Sequence, residues 1–336
     1  MPRWFVILLK VVLTAGILTL FVRQVDIRST AHTLSAISAY AILAAIIAVI
    51  AQSLAAAGRF VMVVARFGPR FALGDSYRLT LESMFFSQTF ISFLGGDALR
   101  IWRIRRLGLA LPKATSAVAL DRLIGTLVNH AFLLATLPWF LSSEVDSSIK
   151  IILVLLAVAG VTAFAILLLL GSKRGRVGIL GMLPVRIRAS VVTGFIVEIS
   201  TVGHDLLATR RVPWVFVLSA LISAINMVSF ALILSGMGVV LPLAVGCALL
   251  VPAIMEIAML PISLAGWGVR EGAAVVAFGA LGLPADQALG ASIAFGLIVA
   301  AVSMLGGILW LVDRRQMTPM SMDLSGSSSV PSSSTQ

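Results

Sequence analysis

The residues best suited to chemistry fall in two glycine-bearing stretches. The first is Gly95-Gly96-Asp97 with Arg100, followed by Asp121-Arg122. The second is Gly266-Trp267-Gly268-Val269-Arg270-Glu271. In each, glycines precede an expected helix start. Free backbone N–H groups at such a start, together with the helix dipole, suit an anion. An arginine one turn further on adds a planar fork that grips phosphate through two parallel hydrogen bonds. Asp97 is placed to cap its helix and lies three residues before Arg100, within reach of an ion pair. Glu82, Gln88 and Glu256 sit inside apolar segments, where a carboxylate is costly enough to imply a task.

Plainer explanations compete with each of these. Arg103, Arg105 and Arg106 satisfy a topological rule by themselves. Gly266 and Gly268 also suit close helix packing. Asp121-Arg122 could be a structural pair. Arg270-Glu271 is harder to dismiss, because topology requires no charge there. Other chemistries are disfavoured. No G-x-x-x-x-G-K-[ST] loop occurs, so no ATP site is expected. His32, His130 and His204 stand far apart without a ligand pattern, and Cys247 is alone, so neither a metal centre nor an intrachain disulfide is expected. No nucleophile–base pair is visible, so the chain is not expected to be an enzyme or to need a cofactor.

The elements that must hold these residues follow from composition. Of 336 residues 60% are hydrophobic and 12% charged, and the mean hydropathy is +1.08. A soluble domain is about half apolar and about a quarter charged. The excess implies an all-α, polytopic transmembrane helical bundle. It excludes a secreted disulfide scaffold, a zinc module and a disordered chain. The longest polar-leaning loop is about 40 residues, short of the ~50 from which domains begin. The net charge of +11 is explained by basic loops that set topology rather than by nucleic acid, and anionic lipid headgroups are its natural partner.

Apolar spans are expected at Trp4 to Val22 (a retained anchor, with Lys10 snorkelling), Ser38 to Gly58, Ala114 to Leu141, Ile151 to Leu170, Trp214 to Ser235 and Gln287 to Val312. Trp4, Trp139, Trp214 and Trp310 fall near span ends, as interfacial indoles do. Leu79 to Leu94 is too short to cross and is flanked by basic loops 59–78 and 95–113, so it should be re-entrant. Leu241 to Leu264 carries Pro252, Glu256 and Pro261 and should dip in from the other face, followed by the short apolar piece Gly272 to Leu283. Loops 59–78, 95–113 and 172–211 are basic and should be cytoplasmic, with Val191 to Leu207 lying on the membrane surface; the acidic loop 142–148 should be external. Arg3 and Arg314-Arg315 place both termini in the cytoplasm, the latter leading into a disordered Ser-rich tail, 314–336.

The two glycine stretches belong to a longer internal match. Gly95, Arg100, Leu107-Gly108-Leu109 and Pro112 recur as Gly266, Arg270, Leu281-Gly282-Leu283 and Pro284, at offsets of 170 to 172 residues, close to half the chain. Three full spans lie between the copies, and an odd number inverts the second. The membrane domain, residues 1–313, therefore reads as an inverted repeat with halves at about 38–171 and 213–312, each with a broken segment.

With these motifs placed, the chain resembles a known family. Gly95-Gly96-Asp97-x-x-Arg100, Asp121-Arg122 and Pro261-Ile262-Ser263-Leu264-Ala265-Gly266-Trp267-Gly268-Val269-Arg270-Glu271 are similar to the lysylphosphatidylglycerol synthase transmembrane-region family, a flippase-like membrane domain, from about residue 5 to 313. The first motif departs from the family pattern, with Ser92-Phe93-Leu94 where a Pro-Gly turn is common. The resemblance implies a multi-pass protein of the bacterial inner membrane that moves or binds lipid. Relatives fused to a soluble aminoacyl transferase flip the lipid it makes; this chain shows no such domain and is not expected to synthesise lipid. Others accompany glycan or polyprenyl-lipid pathways. The expected function is translocation of a phospholipid or polyprenyl-linked lipid, with Arg100 and Arg270 receiving the headgroup phosphate from opposite leaflets. The alternative is a non-transporting membrane partner of a lipid-modifying or glycosyl-transfer enzyme.

Overall fold

The structure, a computed structural model, describes residues 33–68, 71–89, 94–142, 145–182, 184–188, 190–207, 212–259 and 266–312. The expected span Trp4 to Val22 with Lys10, residues 90–93 and 260–265 of the two interrupted segments, and the Ser-rich tail lie outside them. Every regular element described is helical. In chain order these are α1 (Ala39–Val64, with a 3-10 turn to Phe67), α2 (Leu73–Thr89), α3 (Leu94–Arg106), α4 (Leu111–Ser142), α5 (Ser147–Gly171), α6 (Lys173–Met182), α7 (Val185–Arg188), α8 (Val191–Leu207), α9 (Val212–Gly236), α10 (Leu241–Leu249), α11 (Val251–Ala258), α12 (Val269–Gly279) and α13 (Ala285–Val312). Among the described residues, α1 with its extension, α4, α5, α9 and α13 are long and apolar enough to cross a membrane.

Local sequence explains where these helices start and stop. Ser38 caps α1, its hydroxyl accepting from the Ala41 N–H at 3.3 Å. Asp146 caps α5 by accepting from the Ser148 N–H at 2.8 Å, and that hydrogen bond holds its exposed carboxyl below the usual carboxylate range. Gly108 and Gly282, at φ 92° and 85°, make the same left-handed turn after α3 and after α12. That turn is the physical content of the repeated Leu-Gly-Leu.

Contacts along the spans define two ends of the bundle. α1 and α9 run antiparallel: Gly58 lies against Leu218, and Gly236 against Ala41. One end, rich in arginine, collects the end of α1, the start of α2, the start of α9 and the end of α13. There the Ser76 hydroxyl donates to the Ala57 carbonyl at 2.8 Å and Arg78 Nη2 to the Leu309 carbonyl at 2.8 Å. The opposite end holds Ser38, whose N–H donates to the Gly236 carbonyl at 3.1 Å.

Each interrupted segment is a helical hairpin. α2 enters from the basic end and α3 returns to it: Gly96 packs on Ser83 and Ser87 near the tip, while Arg103 reaches Glu82 at 3.0 Å further back. From the opposite end, α10 enters beside Trp139 and bends by 41° into α11. Pro252 opens α11 where the chain bends. α12 then returns. Near the two tips the Trp267 Nε1–H donates to Gln88 Oε1 at 3.3 Å.

These limbs correct the sequence-based boundaries. The return limb α3 occupies most of what reads as basic loop 95–113, and Arg59 belongs to α1 rather than to loop 59–78. Arginines on a buried helix face look like loop charges when only local composition is considered. Loop 172–211 likewise contains α6 and α7, besides α8 at the bounds expected for its surface helix. α8 packs through Phe195, Ile199 and Val202 against Val63, Leu120, Ile124 and Val215, at the basic end.

Small residues bring the hairpins close to the spans, the usual packing device in a lipid solvent. A Cβ at Gly306 of α13 would strike the Leu81–Glu82 backbone of α2, and one at Gly307 the Phe85 ring. The main core joins α1, α9, α13 and the second hairpin, with Phe230 stacked at 4.7 Å from Phe295 and 5.8 Å from Phe278.

Candidate functional site

The first glycine stretch differs from its expected form. Gly95, Gly96 and Asp97 all lie inside the first turn of α3, so Asp97 is not a cap preceding the helix. Gly96 serves packing, because a Cβ there would strike Ser83 and Ser87. The ion pairs also run differently. Asp97 pairs with Arg122 at 2.8 Å, and Arg100 with Asp121 at 3.4 Å. α4 lies alongside α3 and presents the opposite charge to each residue across the interface. Two helices are thus tied together where an Asp97–Arg100 pair would tie none.

Asp121 is the centre of this cluster. Its carboxylate, 1% exposed, accepts from Arg59 Nε at 2.8 Å and Nη2 at 3.2 Å. Arg59 Nη1 donates to the Ser219 hydroxyl at 3.2 Å. α1, α3, α4 and α9 therefore meet on one carboxylate. Arg100, 7% exposed, stacks over Phe60 at 4.9 Å, and its Nε finds no hydrogen-bond partner among the described residues. Glu82, fully buried, is held between Arg78 and Arg103, each at 3.0 Å. Arg103 is therefore more than a topological charge.

The second stretch keeps its glycine starts. Gly266 and Gly268 have φ of 81° and 86°, a region that favours glycine. The Gly268 N–H donates to Glu271 Oε2 at 2.6 Å, which closes the first turn of α12. Arg270, 6% exposed, donates through Nε and Nη2 to Glu271 Oε1 and through Nε to the Ser292 hydroxyl. It also stacks on Trp267 at 5.0 Å and Phe295 at 5.8 Å. Its charge is already matched by Glu271.

The two arginines occupy equivalent places. Arg100 reaches from α3 to Asp121 on α4, and Arg270 from α12 to Ser292 on α13. Arg270 lies 170 residues after Arg100, and Ser292 lies 171 after Asp121. A contact from the return limb's arginine to the following span therefore recurs at the repeat offset, to a carboxylate in one copy and to a hydroxyl in the other.

A family model described as the lysylphosphatidylglycerol synthase transmembrane region matches residues 7–307. The chain belongs to the lysylphosphatidylglycerol synthase transmembrane-region family. No curated protein matches it. In this family member the match takes in both hairpins and every site residue named above, which fits a multi-pass membrane protein.

Several residues of the site are missed by motif spacing. Arg59 and Ser219 complete the Asp121 cluster, and Ser292 holds Arg270. Asn129 Nδ2 donates to Glu256 Oε1 at 3.0 Å, and its Oδ1 accepts from the Ser223 hydroxyl at 2.6 Å. One signal was available: Ser219, Ser223 and Asn226 form a polar stripe at helical spacing on an otherwise apolar span. Gly296 has no such signal. A Cβ there would collide with the Arg270 guanidinium and the Trp267 ring, so this glycine makes room for the buried arginine. Among the described residues no His, Cys, Asp or Glu cluster could hold a metal ion.

Proposed function

We propose that the protein moves a lipid with a phosphate headgroup, a phospholipid or a polyprenyl phosphate, between the two leaflets of the bacterial inner membrane. One observation carries this reading. Two helical hairpins enter from opposite ends of the bundle, approach one another at Gln88 and Trp267, and each holds a buried arginine near its tip. Broken helices of opposite entry, meeting inside a bundle, are the architecture on which transporters build alternating access.

The cluster around Arg100 is the better phosphate receiver of the two. Its buried Nε has no hydrogen-bond partner among the described residues, whereas the Nε and Nη2 of Arg270 are both taken by Glu271. The fork would hold the headgroup while acyl chains stay in lipid, and release would follow when the hairpins exchange exposure. The driving force would be a gradient or mass action.

The test is reconstitution of the full chain in liposomes with labelled phospholipids and polyprenyl phosphates. Arg100→Gln is the informative variant, because Asp121 keeps Arg59 and the cluster keeps a counter-charge. A lost charge-assisted hydrogen bond of about 1.5–3 kcal/mol predicts weaker apparent affinity by about 10- to 150-fold. Arg100→Lys should recover part of it, keeping charge without the fork. If the wild type moves none of these lipids, the translocator reading fails in favour of a partner for a lipid-modifying or glycosyl-transfer enzyme.

A further inference from the structure

We infer that Glu256 is a proton-binding site, and that its protonation and release couple lipid movement to the transmembrane proton gradient. The coupling half of this inference rests on the translocator reading; the proton site does not.

Glu256 stands apart from the other interior carboxylates. Glu82, Asp97, Asp121 and Glu271 each lie against an arginine. Glu256 has none. Its Oε1 accepts from Asn129 Nδ2 at 3.0 Å and lies 4.0 Å from His130 Nδ1. That ring nitrogen is already 2.9 Å from the Thr126 carbonyl of its own helix. Its N–H is thus directed to that carbonyl rather than to the carboxylate.

Among the described residues, the elements packed around it bring no lysine or arginine to its carboxylate. α11 packs against α12, α4, α9 and α10. On α12, Arg270 and Glu271 face each other. On α4, Asp121 and Arg122 are engaged with Arg59, Arg100 and Asp97, and Lys113 stands in the first turn, far along the helix from Asn129, which leaves His130 as the titratable group beside Glu256. α9 carries no charged residue, and α10 contributes only the buried Cys247. An ionised carboxylate without a counter-charge inside a membrane is strongly disfavoured, and taking up one proton from water removes the charge outright.

Position makes the proton consequential. Glu256 sits in the last turn of α11, the inner half of a helix broken at Leu250. Ala258 lies against Gly266, where the chain begins its return. The C-terminal end of a half-helix carries partial negative charge and favours a bound cation over an anion. A sodium ion suits the site poorly: Asn129 turns its NH2 group to the carboxylate, because its oxygen is taken by Ser223, and Na⁺ needs oxygen ligands. Protonation removes the negative charge that Asn129 holds and adds a hydroxyl donor on the other oxygen, while Oε1 still accepts, so the hold on α4 weakens. Hairpin and span would thus be held differently in the two states.

Two measurements on the reconstituted full chain test this. The first is labelling by a hydrophobic carbodiimide, which attacks protonated carboxyls in apolar surroundings, read by mass spectrometry. At neutral pH Glu256 should be labelled at least about tenfold more than the arginine-paired Glu82 and Glu271, and the labelling should fall as pH rises. Labelling no greater than at Glu82 overturns the proton site. The second is lipid movement with and without an imposed pH gradient. The gradient should accelerate the wild type and leave Glu256→Gln, which keeps the shape and the Asn129 contact, unaffected. A wild type that moves lipid indifferently to the gradient overturns the coupling. If wild type moves no lipid while Glu256 is still labelled, the translocator reading falls and the proton site stands.

Discussion

Asp121 is where a single substitution should do most damage to the fold. Asp121→Asn keeps the side-chain volume and one oxygen but removes the charge facing Arg59 and Arg100, which are 8% and 7% exposed. Breaking a buried pair by removing one partner costs about 3–5 kcal/mol, because the remaining charge is left uncompensated. Asp97→Asn removes an ion pair of similar geometry, 2.8 Å to Arg122, but that guanidinium is 35% exposed. It is not enclosed by protein on every side and has a further partner, so a smaller cost, about 0.2–1 kcal/mol, is expected. At roughly 2 °C of melting temperature per kcal/mol, Asp121→Asn should lower the midpoint by about 6–10 °C and Asp97→Asn by less than about 2 °C. Heating the purified protein in detergent and following the monodisperse fraction measures both. Combining Asp121→Asn with Arg59→Met should cost less than the two single losses together, by about 0.5–3 kcal/mol, since each single change strands a group that the other removes. Strict additivity, or an Asp121→Asn protein that melts with wild type, would refute the idea that this carboxylate ties α1, α3 and α4 together.

Three further outcomes are expected. Gly306→Leu should abolish monodisperse protein, because its Cβ would sit on the α2 backbone, while Gly178→Ala, with open space around it, should behave as wild type in the same chromatography. In a Cys247→Ala background, cysteines at Asp75 and Lys113 should label from one side of the membrane and one at Ser148 from the other; labelling of positions 75 and 113 from opposite sides would rule out the α2–α3 hairpin. The Asp146 cap should be pH-sensitive with a definite sign: its carboxyl is held below the usual range by the Ser148 N–H, so its contribution is present above the unfolded-state pKa and is lost as pH falls through the lower folded value. Amide exchange at the start of α5 should accelerate in that acidic window relative to Asp146→Asn, which caps without titrating.

Composition and period were enough for the large features. A chain this apolar must place its helices in lipid, and stretches such as Ala39–Val64 and Ala285–Val312 are legible because each is long and nearly free of charge. The short, polar-bearing segment between two basic stretches was legible as re-entrant for the same reason: charge and length agreed. The recurrence of Gly, Arg, Leu-Gly-Leu and Pro pointed to two related hairpins, and the positive-φ glycines after α3 and α12 explain why that turn is written twice.

Partners were not legible, because pairing is a property of interfaces rather than of spacing. By sequence Asp97 could reach Arg100 on its own helix, and only the approach of α4 decides that each pairs across instead. Arg59 reads as the first charge of a loop, and only the tertiary structure shows it buried on Asp121 with Ser219 behind it. Arg270 reads as an open phosphate fork, yet folding sets it against Glu271, Ser292 and two aromatic rings, in a space that Gly296 leaves free. A helix exposes every side chain along its length to some direction, and the sequence specifies which residues are charged and how they repeat. Which of them face lipid, water or one another depends on what the neighbouring helices bring to the same depth. In a membrane interior that juxtaposition separates a carboxylate matched by an arginine, as at Glu271, from one such as Glu256 that faces an amide and an imidazole instead.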